Sequence, residues 1–200
     1  SALDLARKHR PDLILMDINL GSGMDGIEAA KQILKTHDLP LIFLSSHTEP
    51  EVVQKMEDIT SYGYIVKDSG EVALVASIKM AFKLHESNRR LSDTFMYSIN
   101  GLCIHKMLYD EKGIPFDCEY LKVNKSYEVH TGLTSHVVIG QSIRDIYPNG
   151  EADEVINLYI DVLATGVPVK KEIYFTPTQR WFELSIFPTK KDEFTVAIQN

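Results

Sequence analysis

The chain has 200 residues, 44% of them hydrophobic and 24% charged, with 11 Gly and 8 Pro; this is ordinary globular usage and excludes collagen-like and wholly disordered chains. Its 21 Lys and Arg against 28 Asp and Glu leave a formal net charge of -7, a field that repels phosphate backbones and anionic lipid surfaces, so nucleic acid is not an expected partner. No apolar run approaches the roughly 18 residues a membrane-spanning helix needs, Ser1 to Arg10 lack a secretory signal pattern, and the length leaves room for two domains.

The first half alternates helical and strand-like stretches. Ala2 to His9 has helix-forming composition and Pro11 stops it. Leu13-Ile14-Leu15-Met16 is a continuous apolar run ending at Asp17, the pattern of a strand buried on both faces of a parallel sheet. A glycine-rich turn, Gly21-Ser22-Gly23-Met24-Asp25-Gly26, leads into Ile27, Ala30, Ile33 and Leu34 at helical spacing. Leu41-Ile42-Phe43-Leu44 is a second apolar run and ends at Ser45. Thr48-Glu49-Pro50-Glu51 has the form of a capping box with proline near the helix start. Tyr64-Ile65-Val66 is a third short strand, ending at Lys67. Strand, helix, strand, helix, strand predicts an open parallel α/β sheet.

Residues 71–97 contain neither Gly nor Pro and predict one long helix. Along it Leu84, Asn88, Leu91 and Phe95 step by four, three and four, a seam with coiled-coil spacing. Beyond Tyr97 the pattern changes to a strand over 102–108, a turn at Asp110-Glu111-Lys112-Gly113 and a returning strand to Val123. Asn124 is placed to cap the next helix. Asp153 to Ala164 forms an amphipathic helix closed by Gly166, and strands over 169–175, 180–187 and 194–199 finish the chain. In the second of these Phe182, Leu184 and Ile186 share one face, with Trp181, Glu183 and Ser185 on the other. The second half is therefore expected to be an α+β domain, a five-stranded antiparallel sheet with one helix-covered face. Cys103 and Cys118 lie in strand-like surroundings and read as buried thiols in a reducing cytosol, not as a disulfide or zinc ligands.

Asp17, Ser45 and Lys67 each stand where an apolar strand ends. Parallel strands bring their carboxyl ends to one edge, where α/β ligand sites lie. A carboxylate nucleophile beside a lysine and a hydroxyl that can meet charge on phosphoryl oxygens is a plausible phosphoryl-acceptor site. By spacing alone, polar residues that merely follow strands remain the alternative.

The run from Pro11 through Met16-Asp17-Ile18-Asn19-Leu20 with Met24-Asp25-Gly26, then Leu41-Ile42-Phe43-Leu44-Ser45-Ser46, then Gly63-Tyr64-Ile65-Val66-Lys67, resembles the receiver domains of response regulators, in order and in spacing. The resemblance implies Asp17 as the phosphorylated aspartate, Ser45 as the switch hydroxyl, Tyr64 as its aromatic partner and Lys67 as the conserved-type ammonium. It implies Mg²⁺ beside Asp17, with Asn19 offering its backbone carbonyl. The resemblance begins near the family's second helix, without the first strand and its acidic pair. Three expectations follow from that departure: the strand ending at Asp17 has an unpaired apolar edge, Mg²⁺ finds too few carboxylates, and this stretch alone phosphorylates poorly while a longer parent does so normally. Asp68 stands where the family usually has a proline, commonly cis. A cis bond there would cost about 2.5–4 kcal/mol, so the bond is either trans or strained.

The second half resembles a PAS domain through Asn100-Gly101, Asp110 to Gly113, Glu119-Tyr120-Leu121 with Val123-Asn124, Thr131-Gly132-Leu133, Ile139-Gly140, Thr165-Gly166 and Arg180-Trp181-Phe182. The resemblance implies a module that senses an unidentified small ligand or relays a signal through dimer contacts, with any pocket lined by the sheet face that carries Phe182 and Leu184. No flavin or haem is indicated: the helices after Asn124 hold no cysteine, and 153–164 holds no histidine. His105, His130 and His136 are expected as surface or satisfied residues, and Trp181 as a packing residue.

Together these readings predict a receiver portion over 1–84, a linker helix over 85–97 and a PAS domain over 98–200, in a cytoplasmic two-component signalling protein. Asp17 would take its phosphoryl group from a histidine kinase or phosphotransfer domain. The long helix would carry the signal onward, and a homodimer would form through that helix or through the PAS half. The chain itself is expected not to be an enzyme, although its parent would fit a sensor histidine kinase. An aspartate-nucleophile phosphatase is the first alternative, weakened because Asn19 stands where a second aspartate is needed as acid and base. An interaction scaffold that takes no phosphate is the second.

Overall fold

Apolar runs punctuated by single polar residues set the first sheet. The computed structural model describes residues 2–19, 25–46 and 62–199. In it, α1 (Ala2–His9), β1 (Ile14–Asp17), α2 (Gly26–Leu34), β2 (Leu41–Ser45), β3 (Tyr64–Val66) and α3 (Gly70–Met96) follow one another. The three strands pair in parallel in the order β1-β2-β3. Ile14 lies opposite Leu41 and Asp17 opposite Leu44, while Ser45 lies opposite Val66. The run in β2 is apolar throughout because both of its faces are covered. Leu41 and Phe43 pack with Ala6, Met16, Ile27 and Ile33 on the side of α1 and α2, whereas Ile42 packs with Ile65 and Ala81 on the other. β1 is the outer strand of this sheet among the described residues, and Leu15 on it is exposed. The glycine-rich turn at 20–24 and the capping box at 48–51 lie outside the described residues.

The chain divides into two compact units, Ser1–Leu91 and Ser92–Asn200, and the division falls inside α3. Of the residues of α3, Ala81 is fully buried, whereas Leu84 and Leu91 of the predicted seam are exposed.

The second unit opens with β4 (Gly101–Tyr109) and β5 (Pro115–Val123) and continues through α4 (Lys125–Thr131), α5 (Ser135–Val138), α6 (Ile143–Ile146) and α7 (Asp153–Thr165). It closes with β6 (Val169–Phe175), a 3-10 turn, β7 (Arg180–Lys190) and β8 (Glu193–Gln199). The strands form one antiparallel sheet in the order β5-β4-β8-β7-β6. The β4–β5 hairpin turns where predicted: Asp110 Oδ1 accepts from the Lys112 and Ile114 N–H groups, and Gly113 supplies the positive φ of 77°. Alternation along β7 buries Phe182, Leu184 and Ile186 against the helices. The strand runs on to Lys190, past the predicted end at 187, because β8 pairs with it as far as Glu193.

Asn124 caps α4 through its side chain, as expected, and does more. Its Oδ1 accepts from Tyr127 N and Leu102 N, both at 2.8 Å, and its Nδ2 donates to Asn100 O at 2.9 Å and Phe95 O at 3.0 Å. One buried amide thus ties the last turn of α3 and the start of β4 to the start of α4.

Two expectations need correction. His105 is neither at the surface nor satisfied: it is 1% exposed, and neither ring nitrogen has a hydrogen-bond partner. The reason is parity, since Cys103, His105 and Met107 alternate onto the inner face of β4. Trp181 is not a core packing residue. It sits on the outer face of β7, 63% exposed, with its ring 5.4 Å from that of Tyr174. The reading of Cys103 and Cys118 as buried free thiols agrees with the structure.

Candidate functional site

Parallel pairing brings the ends of β1, β2 and β3 to one rim. Asp17 closes β1, Ser45 closes β2, and Lys67 follows β3 directly, its N–H donating to Ser45 O at 2.9 Å. The outer strands stand two strand spacings apart, roughly 9–10 Å, and only a long side chain bridges that distance. Lys67 does so: its Nζ donates to Asp17 Oδ2 at 2.6 Å across the end of β2. The other carboxylate oxygen of Asp17 accepts from Asn19 N at 3.1 Å. The side chains of Asp17 and Lys67 are 33% and 40% exposed, so the pair sits in water's reach. The Lys67 hydrogen bond holds the Asp17 carboxyl below its ordinary value of 3.8; partial desolvation opposes this, and the Asn19 N–H and the lysine charge reinforce it. The carboxylate is therefore ionised at neutral pH, the state a nucleophile needs.

Ser45 is half-buried at the rim, whereas the Tyr64 ring is 42% exposed and lies two residues before the end of β3. The bond between Lys67 and Asp68 is trans, since no cis peptide occurs among the described residues.

Sequence reading missed the role of Gly26. Its N–H donates to Ile18 O at 3.0 Å, and a Cβ at this position would stand 1.9 Å from Asp17 O. The first turn of α2, capped by Asp25 through its bond from Glu28 N at 2.7 Å, therefore presses directly on the backbone of Asp17. Met24-Asp25-Gly26 marks a capped helix start, but not the close approach to Asp17 that only a glycine permits.

Comparison with known proteins sorts the two halves. Residues 1–79 match the family described as "Response regulator receiver domain", and residues 117–197 match the PAS fold. The chain joins a receiver domain to a PAS fold. These are parts of two-component signalling. Among curated relatives, the transcriptional regulatory protein YdfI of Bacillus subtilis is 34% identical over 82 residues, 41% of this chain and 38% of that protein. The transcriptional regulatory protein PdtaR of Mycobacterium tuberculosis is 31% identical over 80 residues, 40% of this chain and 38% of that protein. The chain thus spans under two fifths of the length of these relatives. Among solved structures, the N-terminal domain of a response regulator/sensory box/GGDEF 3-domain protein from Carboxydothermus hydrogenoformans is 44% identical. It covers 44% of this chain and 70% of its own, with a TM-score of 0.40.

Receiver domains as a class depend on Mg²⁺, and the residues described here do not by themselves make its site. Mg²⁺ wants near-octahedral oxygen ligands. Both Asp17 oxygens already accept hydrogen bonds, from Asn19 N and Lys67 Nζ, and no group of three His, Cys, Asp or Glu converges among the described residues.

Proposed function

We propose that the receiver portion accepts a phosphoryl group on Asp17 from the phosphohistidine of a histidine kinase or phosphotransfer domain, in a cytoplasmic signalling protein. A carboxylate oxygen of Asp17 attacks phosphorus, an O–P bond forms and the N–P bond breaks. Its electron pair stays with the imidazole nitrogen, which takes up a proton. Lys67 then meets the added charge on the phosphoryl oxygens, and Ser45, with Tyr64 behind it, turns toward them. The observation that carries this reading is the 2.6 Å contact between Lys67 Nζ and Asp17 Oδ2, made across an intervening strand. The PAS portion senses a small ligand or relays the signal, and a second copy of the chain pairs through the exposed seam of α3 or through the PAS portion.

The test is a phosphate-affinity gel on the polypeptide that contains this chain, incubated with Mg²⁺ and a phosphorylated histidine donor. Labelling is expected to vanish in Asp17→Asn and to survive in Asp68→Asn. Labelling that persists in Asp17→Asn overturns the assignment.

A further inference from the structure

One imidazole marks the place where α3 leaves the receiver sheet. Leu74, Ile78 and Ala81 pack with Ile42 and Ile65, and they step by four and three along one stripe of the helix. Four residues after Ala81 the stripe reaches His85, a polar residue whose side chain keeps only 15% exposure. Residues 86–94 are all exposed. His85 is therefore the last residue of α3 to be covered within the first unit.

Two groups flank its ring. The Tyr62 hydroxyl lies 3.0 Å from His85 Nδ1, with the two rings edge to face at 5.4 Å between centroids. A hydroxyl both donates and accepts, so this bond forms with either imidazole tautomer. On the other side Nε2 lies 3.8 Å from Asp38 Oδ1, beyond hydrogen-bonding distance. The Asp38 side chain is 78% exposed, and solvent leaves that contact little strength. Tyr62 is the partner that holds.

Tyr62 reaches α3 through an unusual stretch of backbone. Tyr64 lies opposite Phe43, which packs on the side of α1 and α2. Regular alternation would place Tyr62 on that side with Tyr64, yet Tyr62 packs with Ile42, Ile65 and Ala81 on the side of α3. Between the two tyrosines stands Gly63 at a φ of 142°, a conformation that favours glycine and breaks the alternation. The Tyr62 N–H donates to Leu41 O at 3.0 Å and ties the residue to the start of β2. β3 is three residues long. Lys67, just past one end, is bonded to Asp17, and Tyr62, just before the other, is bonded to His85.

We propose that the bond between Tyr62 and His85 is a latch on α3, opened from the receiver rim. Charge added at Asp17 draws Lys67 and with it β3, Tyr62 parts from His85, and the last covered turn of α3 lifts from the sheet. The opening step rests on the reading of Asp17 as phosphoryl acceptor, whereas the latch itself does not.

Hydrogen exchange of the polypeptide that contains this chain, followed by mass spectrometry over residues 86–91, tests both parts. Tyr62→Phe removes one hydroxyl and keeps the ring. It is expected to speed exchange at 86–91 by about two- to tenfold, the weight of a single hydrogen bond, and to leave 72–80 as in the wild type. Phosphorylation of Asp17 by a phosphohistidine donor is expected to speed the same amides in the wild type and to add nothing in Tyr62→Phe. Equal exchange in wild type and Tyr62→Phe overturns the latch. So does faster exchange spread evenly over 72–91, the mark of general loosening. A phosphorylation response that Tyr62→Phe leaves undiminished overturns the control from the rim. Asp17 labelling is scored on the same samples. A chain that fails to label loses the receiver reading and the opening step with it, while Tyr62→Phe still decides the latch.

Discussion

Removing the Asn124 side chain should be the most damaging single polar truncation in the second unit. The residue is 1% exposed and makes four hydrogen bonds of 2.8–3.0 Å, two as acceptor and two as donor. Each such bond contributes about 0.5–1.5 kcal/mol net, so Asn124→Ala is expected to cost roughly 4 kcal/mol. For a unit of about this size that lowers Tm by something like 12–20 °C. A helix cap alone is worth about 1 kcal/mol, which separates the two accounts of this residue. Asn124→Ser keeps the bond from Tyr127 N but cannot reach Phe95 O or Leu102 N, so it should recover only that cap. Urea unfolding followed by far-UV circular dichroism and by the single tryptophan, Trp181 on β7, reads the loss in this unit. If Asn124→Ala costs no more than a cap, or if Asn124→Ser restores wild-type stability, the amide is not the tie described here.

Gly26→Ala forces a methyl group to within 1.9 Å of Asp17 O, so α2 must retreat from β1. A loss of about 1–3 kcal/mol in thermal unfolding is expected, and a change within 0.5 kcal/mol would contradict the close approach. Lys67→Met should raise the Asp17 carboxyl toward its ordinary 3.8, read from its ¹³C resonance as pH is lowered. Because the folded value lies below the unfolded one, the linked stability is complete above pH 3.8 and is lost as pH falls through the folded value. The variant should therefore show a shallower acid dependence in that window, and an unchanged carboxyl titration would refute the pairing. Both cysteines are buried, and burial pushes both thiols up. Neither should react with a thiol reagent in the native chain and both should react in urea; fast native labelling would contradict the packing.

Much of this architecture was readable because its elements have local causes. The run at Leu41-Ile42-Phe43-Leu44 is apolar without alternation because helices cover both faces of that strand. That pattern separates it from the alternating strand at 180–190, where Phe182 points in and Trp181 out. The proximity of Asp17 and Lys67 was also legible, since parallel strands that end in register bring their ends to one edge. What escaped reading depends on distances between segments that no local pattern records. Gly26 looks like any turn glycine until α2 meets the Asp17 carbonyl. His105 was misjudged by residue type: strand parity placed it inward with Cys103 and Met107, and parity outweighs the usual preference of imidazole for the surface.

The two sites differ in the one property that decides what each can hold. Asp17 and Lys67 keep about a third or more of their side-chain surface in water, so solvent screens the charge of anything added there and desolvation costs little. A doubly charged phosphoryl group suits that rim. His105 keeps 1% of its surface exposed, packed against the rings of Tyr120, Tyr159 and Phe194, and desolvation there penalises any ion heavily. A charge that the rim accepts is one the interior around His105 rejects.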